Sequence, residues 1–183
     1  LSESTKASDK ETNKRFARAA IVFTAFYVES LANLLVDRIT SVFGSLPDFE
    51  EFISGRDHRP KPLRKLFGAY VKIQNKTLSR NINIDWSLDT AVIQDLFLIR
   101  NQILAHPPAR STVGGTNVVP EKGLTQNGKD LNFNKFTHFP NIYTGFTFTH
   151  AHEIYEETKK FLEGYVTLIE NFPVGNELVG MFK

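Results

Sequence analysis

Between Asp9 and Phe43 the apolar residues recur in three- and four-residue steps, and this stretch constrains the fold more than any other. Phe16, Ala20, Phe23, Tyr27, Leu31, Leu34, Leu35 and Val42 keep the rhythm of one long amphipathic helix. Gly44 is a natural stop, because glycine takes the left-handed conformation that closes helices without steric cost. Such a length implies fraying at its start or a bend within it, and the polar residues 1–8 read as a frayed tail. The segment Ala17–Leu35 is interrupted by Arg18, Glu29 and Asn33, which points to a buried helix and to no membrane crossing.

The rest of the chain continues in helices. Pro47–Phe52 carries acidic residues where a first helical turn favours them. After the basic segment Arg56–Pro62, Pro62 suits a first helical position, and an apolar pattern runs from Leu63 to about Lys76, weakened modestly by Gly68. A polar link over Leu78–Asp85 leads to a helix capped by Ser87 or Asp89, whose apolar set reaches Ala105. Pro107–Thr147 breaks every helical pattern. Asn127-Gly128 suits a tight hairpin turn there, and aromatics such as Phe133, Phe139 and Phe148 are expected to pin the segment onto the helices. A last helix capped by Thr149 or Thr147 runs through Ile154, Phe161 and Tyr165 to about Phe172, closed by Pro173 and Gly175. The expected architecture is all-α: an up-and-down bundle of about four to five helices, with an irregular insertion over 107–148 before the last. It forms one domain over 9–172, flanked by tails at 1–8 and 173–183.

Composition removes several chemistries. The chain has no cysteine, which excludes disulfides, thiolate metal sites and a cysteine nucleophile. It carries no Walker loop, dinucleotide glycine pattern or serine-nucleophile elbow. A net charge of +2 is too small to argue for a polyanionic partner by itself. Locally, Arg56, His58, Arg59 and Lys61 form a basic cluster able to meet phosphates, although such clusters are commonly solvated. His150 and His152 in one helix point to different sides, so no metal site is expected there. No cofactor is implied. The absence of a signal-peptide layout fits a cytoplasmic protein.

The chemistry concentrates in Ile99-Arg100-Asn101-Gln102-Ile103-Leu104-Ala105-His106, stopped by Pro107-Pro108. Arginine offers a planar fork with two parallel donors and a permanent charge, which suits a phosphodiester. Histidine exchanges a proton near neutral pH. Asn101 is placed to hold the histidine ring, the arginine or a phosphate oxygen. In a straight α-helix, residues six apart are separated by roughly 9 Å and about 120°, so Arg100 and His106 do not share a face. Two devices relieve this. Pro107 disfavours helical geometry at His106, and a two-fold dimer brings two such helix ends together.

Arg100-Asn101-x4-His106 resembles the R-x4-6-H signature of HEPN domains, a helical nucleotide-binding superfamily. It is the one arginine–histidine pair in the chain with that spacing. The first helix, with Ala19-Ala20-Ile21-Val22-Phe23 and Tyr27-Val28-Glu29-Ser30-Leu31-Ala32-Asn33, is similar to the alanine- and aromatic-rich opening helix of many bacterial HEPN proteins. The resemblance implies a metal-independent endoribonuclease acting on RNA as a homodimer, with the 2′-hydroxyl as nucleophile. His106 would then transfer protons, Arg100 would stabilise the phosphorane-like transition state, Asn101 would orient, and Glu29 would support Arg100 from the first helix. It also implies a toxin–antitoxin, phage-defence or stress-response setting, with an antitoxin or regulatory protein as a further partner. Two rivals stand beside it. One is a non-catalytic HEPN-like module binding nucleotide, RNA or protein; the other is an unrelated helical scaffold whose motif is accidental.

Overall fold

The computed structural model describes residues 3–55, 60–74, 87–104, 124–126, 129–131, 138–139, 147–172, 175 and 180. It is all-helical apart from one short hairpin. Helices α1 (Glu3–Phe43), α2 (Pro47–Ser54), α3 (Lys61–Ile73) and α4 (Ala91–Leu98) are followed by a π-helical turn (Ile99–Leu104). Strands β1 (Leu124–Gln126) and β2 (Lys129–Leu131) then precede α5 (Phe148–Glu170). Between the π-helical turn and α5 no described residue is helical, in keeping with the expected insertion before the last helix. Within it β1 and β2 pair antiparallel, Leu124 with Leu131 and Gln126 with Lys129, so two positions separate the strands. That is the length at which Asn-Gly favours a tight turn.

Local chemistry sets most helix ends. Gly44 has φ +78° and donates to Thr40 O at 2.9 Å, closing α1 as its sequence implies. Of the two candidate caps for α4, Asp89 does the work: its Oδ1 accepts the Ala91 N–H at 2.9 Å. Thr147 caps α5, its hydroxyl accepting the His150 N–H at 3.3 Å. Three boundaries differ from expectation. α1 is helical from Glu3, so residues 3–8 extend the helix instead of fraying. Pro62 sits second in α3, after Lys61, where its missing N–H still costs no helical bond. α3 closes at Ile73 with Gln74 as its cap, short of Lys76.

The larger correction concerns which side of α1 faces the core. Ala17, Ile21, Ala25, Val28, Ala32, Leu35 and Ile39 are fully buried. Of the residues that marked the helical rhythm, only Leu35 joins them; Phe16, Phe23, Tyr27, Leu34 and Val42 are exposed. α1 is apolar on two sides, and its slimmer side, rich in alanine, is the one that packs. Small residues allow neighbouring helices to approach closely, whereas a row of phenylalanines holds them apart.

Two compact units divide the chain. The first comprises residues 1–25 and 95–155, the second 26–94 and 156–183. Buried in the first are Ile21, Leu96, Phe97, Ile99, Phe139 and Ile154. In the second, α2 and α3 form an antiparallel pair. Phe52 stacks on Phe67 with ring centroids 6.0 Å apart, and Asp48 at the start of α2 pairs with Lys72 at the end of α3. Gly68 is the contact point: a Cβ there would lie 2.7 Å from the ring of Phe49. Tyr165, fully buried on α5, donates its hydroxyl to Leu66 O at 3.0 Å.

Candidate functional site

α4 begins as an ordinary amphipathic helix anchored by the Asp89 cap, and buries Val92, Ile93, Leu96 and Phe97. At Ile99 it changes to π geometry, in which each N–H reaches back five residues instead of four. Arg100 and Asn101 lie inside this wider turn. Single π turns within helices are uncommon and frequent at functional sites. Over Arg100–Leu104 the chain therefore departs from the straight α-helix on which the roughly 9 Å and 120° separation rests. His106 itself lies outside the described residues.

Arg100 is half-buried and Asn101 exposed. The guanidinium is fixed by its own helix in two ways. Its Nη1 donates to Asn101 Oδ1 at 2.9 Å, and its Cζ stands 5.8 Å from the ring centroid of Phe97, one turn earlier. Phe97 is almost fully buried and supplies a rigid π face for the cation. The neighbouring amide thus orients the arginine, which is one of the roles its sequence position offered. A cation held in this way meets an oxyanion with little further loss of side-chain freedom.

The acidic neighbour that sequence reading missed is Asp95. It is 2% exposed, on the same helix as Phe97 and five residues before Arg100. Its Oδ2 accepts the backbone N–H groups of His138 at 2.7 Å and Phe139 at 3.1 Å. Of the aromatics expected to pin this segment, Phe139 is buried beside this anchor, Phe148 is 73% exposed at the start of α5, and Phe133 lies outside the described residues. The helix that carries Arg100 and Asn101 therefore also holds down the insertion. The available signal was a single carboxylate inside the apolar run Val92–Leu98.

The remaining candidates are distributed elsewhere. Glu29 is half-buried on α1 and belongs to the second compact unit, Arg100 to the first. Arg56, His58 and Arg59 lie outside the described residues, while Lys61 opens α3 and is exposed. The Nδ1 of His150 is 3.1 Å from the Thr147 hydroxyl and 3.3 Å from the Thr147 N–H, so this ring completes the cap of α5. Among the described residues no three histidine or carboxylate side chains gather as metal ligands.

One expectation about membranes is revised. α1 over Asp9–Phe43 is long and apolar enough, by length and composition, to cross a bilayer, although the sequence showed charged and polar interruptions. A third of its most apolar window is buried inside the protein. No protein-family model, curated protein or solved structure matches this chain.

Proposed function

We propose that the protein is a metal-independent endoribonuclease of HEPN type, acting as a homodimer on RNA, with Arg100, Asn101 and His106 as its working residues. The observation that carries this reading is the oriented Arg100. An arginine braced by Asn101 and Phe97 in a π turn, six residues ahead of a histidine and a double proline, suits charge stabilisation at phosphorus. In the reaction, the RNA 2′-oxygen forms a bond to the adjacent phosphorus and the bond to the 5′-oxygen breaks. The 2′-hydroxyl proton passes to a base and a proton is delivered to the departing 5′-oxygen. His106, supplied once by each copy, performs these transfers, and Arg100 meets the extra negative charge on the non-bridging oxygens. The products are a 2′,3′-cyclic phosphate and a 5′-hydroxyl.

In this scheme the basic residues Arg56, His58, Arg59 and Lys61 meet RNA phosphates. The resemblance that suggests the chemistry also suggests a cytoplasmic toxin–antitoxin, phage-defence or stress-response role and a protein that restrains the enzyme.

The direct test is cleavage of a mixed-sequence RNA in EDTA by wild type and His106→Ala. Wild type cuts, and the variant is slower by about 10²–10⁴-fold with unchanged circular dichroism. Equal cleavage by both removes His106 from the chemistry. RNA binding without cleavage by the folded wild type replaces the enzyme with a binding module.

A further inference from the structure

We infer that the exposed apolar stripe of α1 is the surface on which two copies of this chain pair, with their α1 helices antiparallel. Phe16 and Phe23 are 68% and 70% exposed, and Tyr27 and Leu34 are 54% and 41% exposed. At about 100° per residue these four side chains fall within about 20° of a single line along one unbroken helix. The stripe spans about 27 Å and is bordered by Phe26, itself 44% exposed. Soluble monomers rarely leave an apolar surface of this extent uncovered.

The order of residues along the stripe identifies the occupant. Reversed about position 25, the stripe matches itself: Phe16 falls opposite Leu34, Ala20 opposite Ser30, and Phe23 opposite Tyr27. Large side chains meet large ones and small meet small, as a two-fold contact between identical helices requires. The bordering charges fall close to the same reversal. Under it exposed Arg15 faces position 35 and lies two residues, about 3 Å, from exposed Asp37 on one flank, and Asp9 faces position 41 and lies three residues, about 4.5 Å, from Arg38 on the other.

A lipid surface fits less well. The opposite side of α1, from Ala17 to Ile39, is already buried in protein, and exposed Arg15, Asp37 and Arg38 border the stripe. Pairing through α1 deepens the ribonuclease reading, which needs two copies and brings their α4 ends together but gives no packing surface on α1. Its evidence is α1 alone and its readout involves no RNA: a dimer that survives the α1 substitutions removes this surface and leaves the ribonuclease reading standing, whereas a monomeric wild type removes the dimer that both require.

The experiment is sedimentation equilibrium of the full chain. Wild type is expected to be a dimer in the micromolar range. Phe23→Glu with Tyr27→Glu is expected to be a monomer of unchanged helical content; should that pair fail to fold, Phe23→Ser provides the same reading. Arg15→Asp and Asp37→Arg each weaken the dimer by about three- to tenfold, and combining them restores it. A wild type that stays monomeric to about 100 µM overturns the proposal, as does a dimer that survives Phe23→Glu with Tyr27→Glu. Monomeric wild type that co-sediments with phosphatidylcholine–phosphatidylglycerol vesicles also overturns it, and assigns the stripe to lipid.

Discussion

Removing a buried carboxylate that accepts two backbone N–H groups takes the partner from both donors at once. Asp95→Ala should therefore cost about 1–3 kcal/mol in urea denaturation, and a loss below about 0.5 kcal/mol would remove Asp95 as the anchor of His138 and Phe139. Arg64 presents the opposite case. It is 5% exposed on α3, and its Nε and Nη1 have no hydrogen-bond partner among the described residues. A buried, unpaired cation is a cost that an apolar residue of similar length avoids. Arg64→Met should leave stability unchanged or raise it, and a loss above about 2 kcal/mol would show that the guanidinium is compensated. Tyr165 sets a pH dependence. Burial, with a smaller contribution from Tyr70, raises its phenol well above the ordinary value of 10.0. The unfolded chain then loses this proton first, so stability is fully present below about pH 10 and falls as pH rises beyond it. Tyr165→Phe should flatten that alkaline fall in thermal melts, while costing about 0.5–1.5 kcal/mol at neutral pH for the lost bond to Leu66 O.

At the scale of the element, helix ends were the legible part of the sequence. Gly44, Asp89 and Thr147 each act through their own backbone or a side chain two or three residues away, and such chemistry needs no knowledge of the fold. The packing side of α1 was not legible. Its alanines and its aromatics form two apolar faces, and periodicity alone cannot say which one meets the core. The π turn was hidden for a related reason: Ile99–Leu104 reads as ordinary helix, and the change of geometry is a backbone event without a compositional mark. Gly68 shows propensity overruled by packing. Read in isolation it weakens α3, yet the Phe49 ring occupies the space a side chain would need. Gly68→Ala should destabilise the protein despite a helix-propensity gain of about 1 kcal/mol. Adding Phe49→Leu should recover part of the loss. Stabilisation by Gly68→Ala alone would contradict the close contact.

For the whole molecule, the all-helical class and the insertion before the last helix followed from patterning, because long periodic segments dominate the chain. The candidate site was legible as a short motif. The sequence did not show that Asn101 and Phe97 brace Arg100, or that Asp95 ties the same helix to the insertion, because both are consequences of tertiary placement. One helix holds Arg100 in place and ties down His138 and Phe139 through Asp95. The chemistry proposed for it is transesterification by the RNA's own 2′-hydroxyl, without a metal. The most direct measurement is the chemical identity of the ends left on RNA cut by the wild-type protein in EDTA. Transesterification leaves 2′,3′-cyclic phosphate and 5′-hydroxyl ends, and gives no cutting of the same sequence made with 2′-deoxynucleotides. Fragments bearing 5′-phosphate and 3′-hydroxyl ends, or equal cutting of the deoxy substrate, would contradict it.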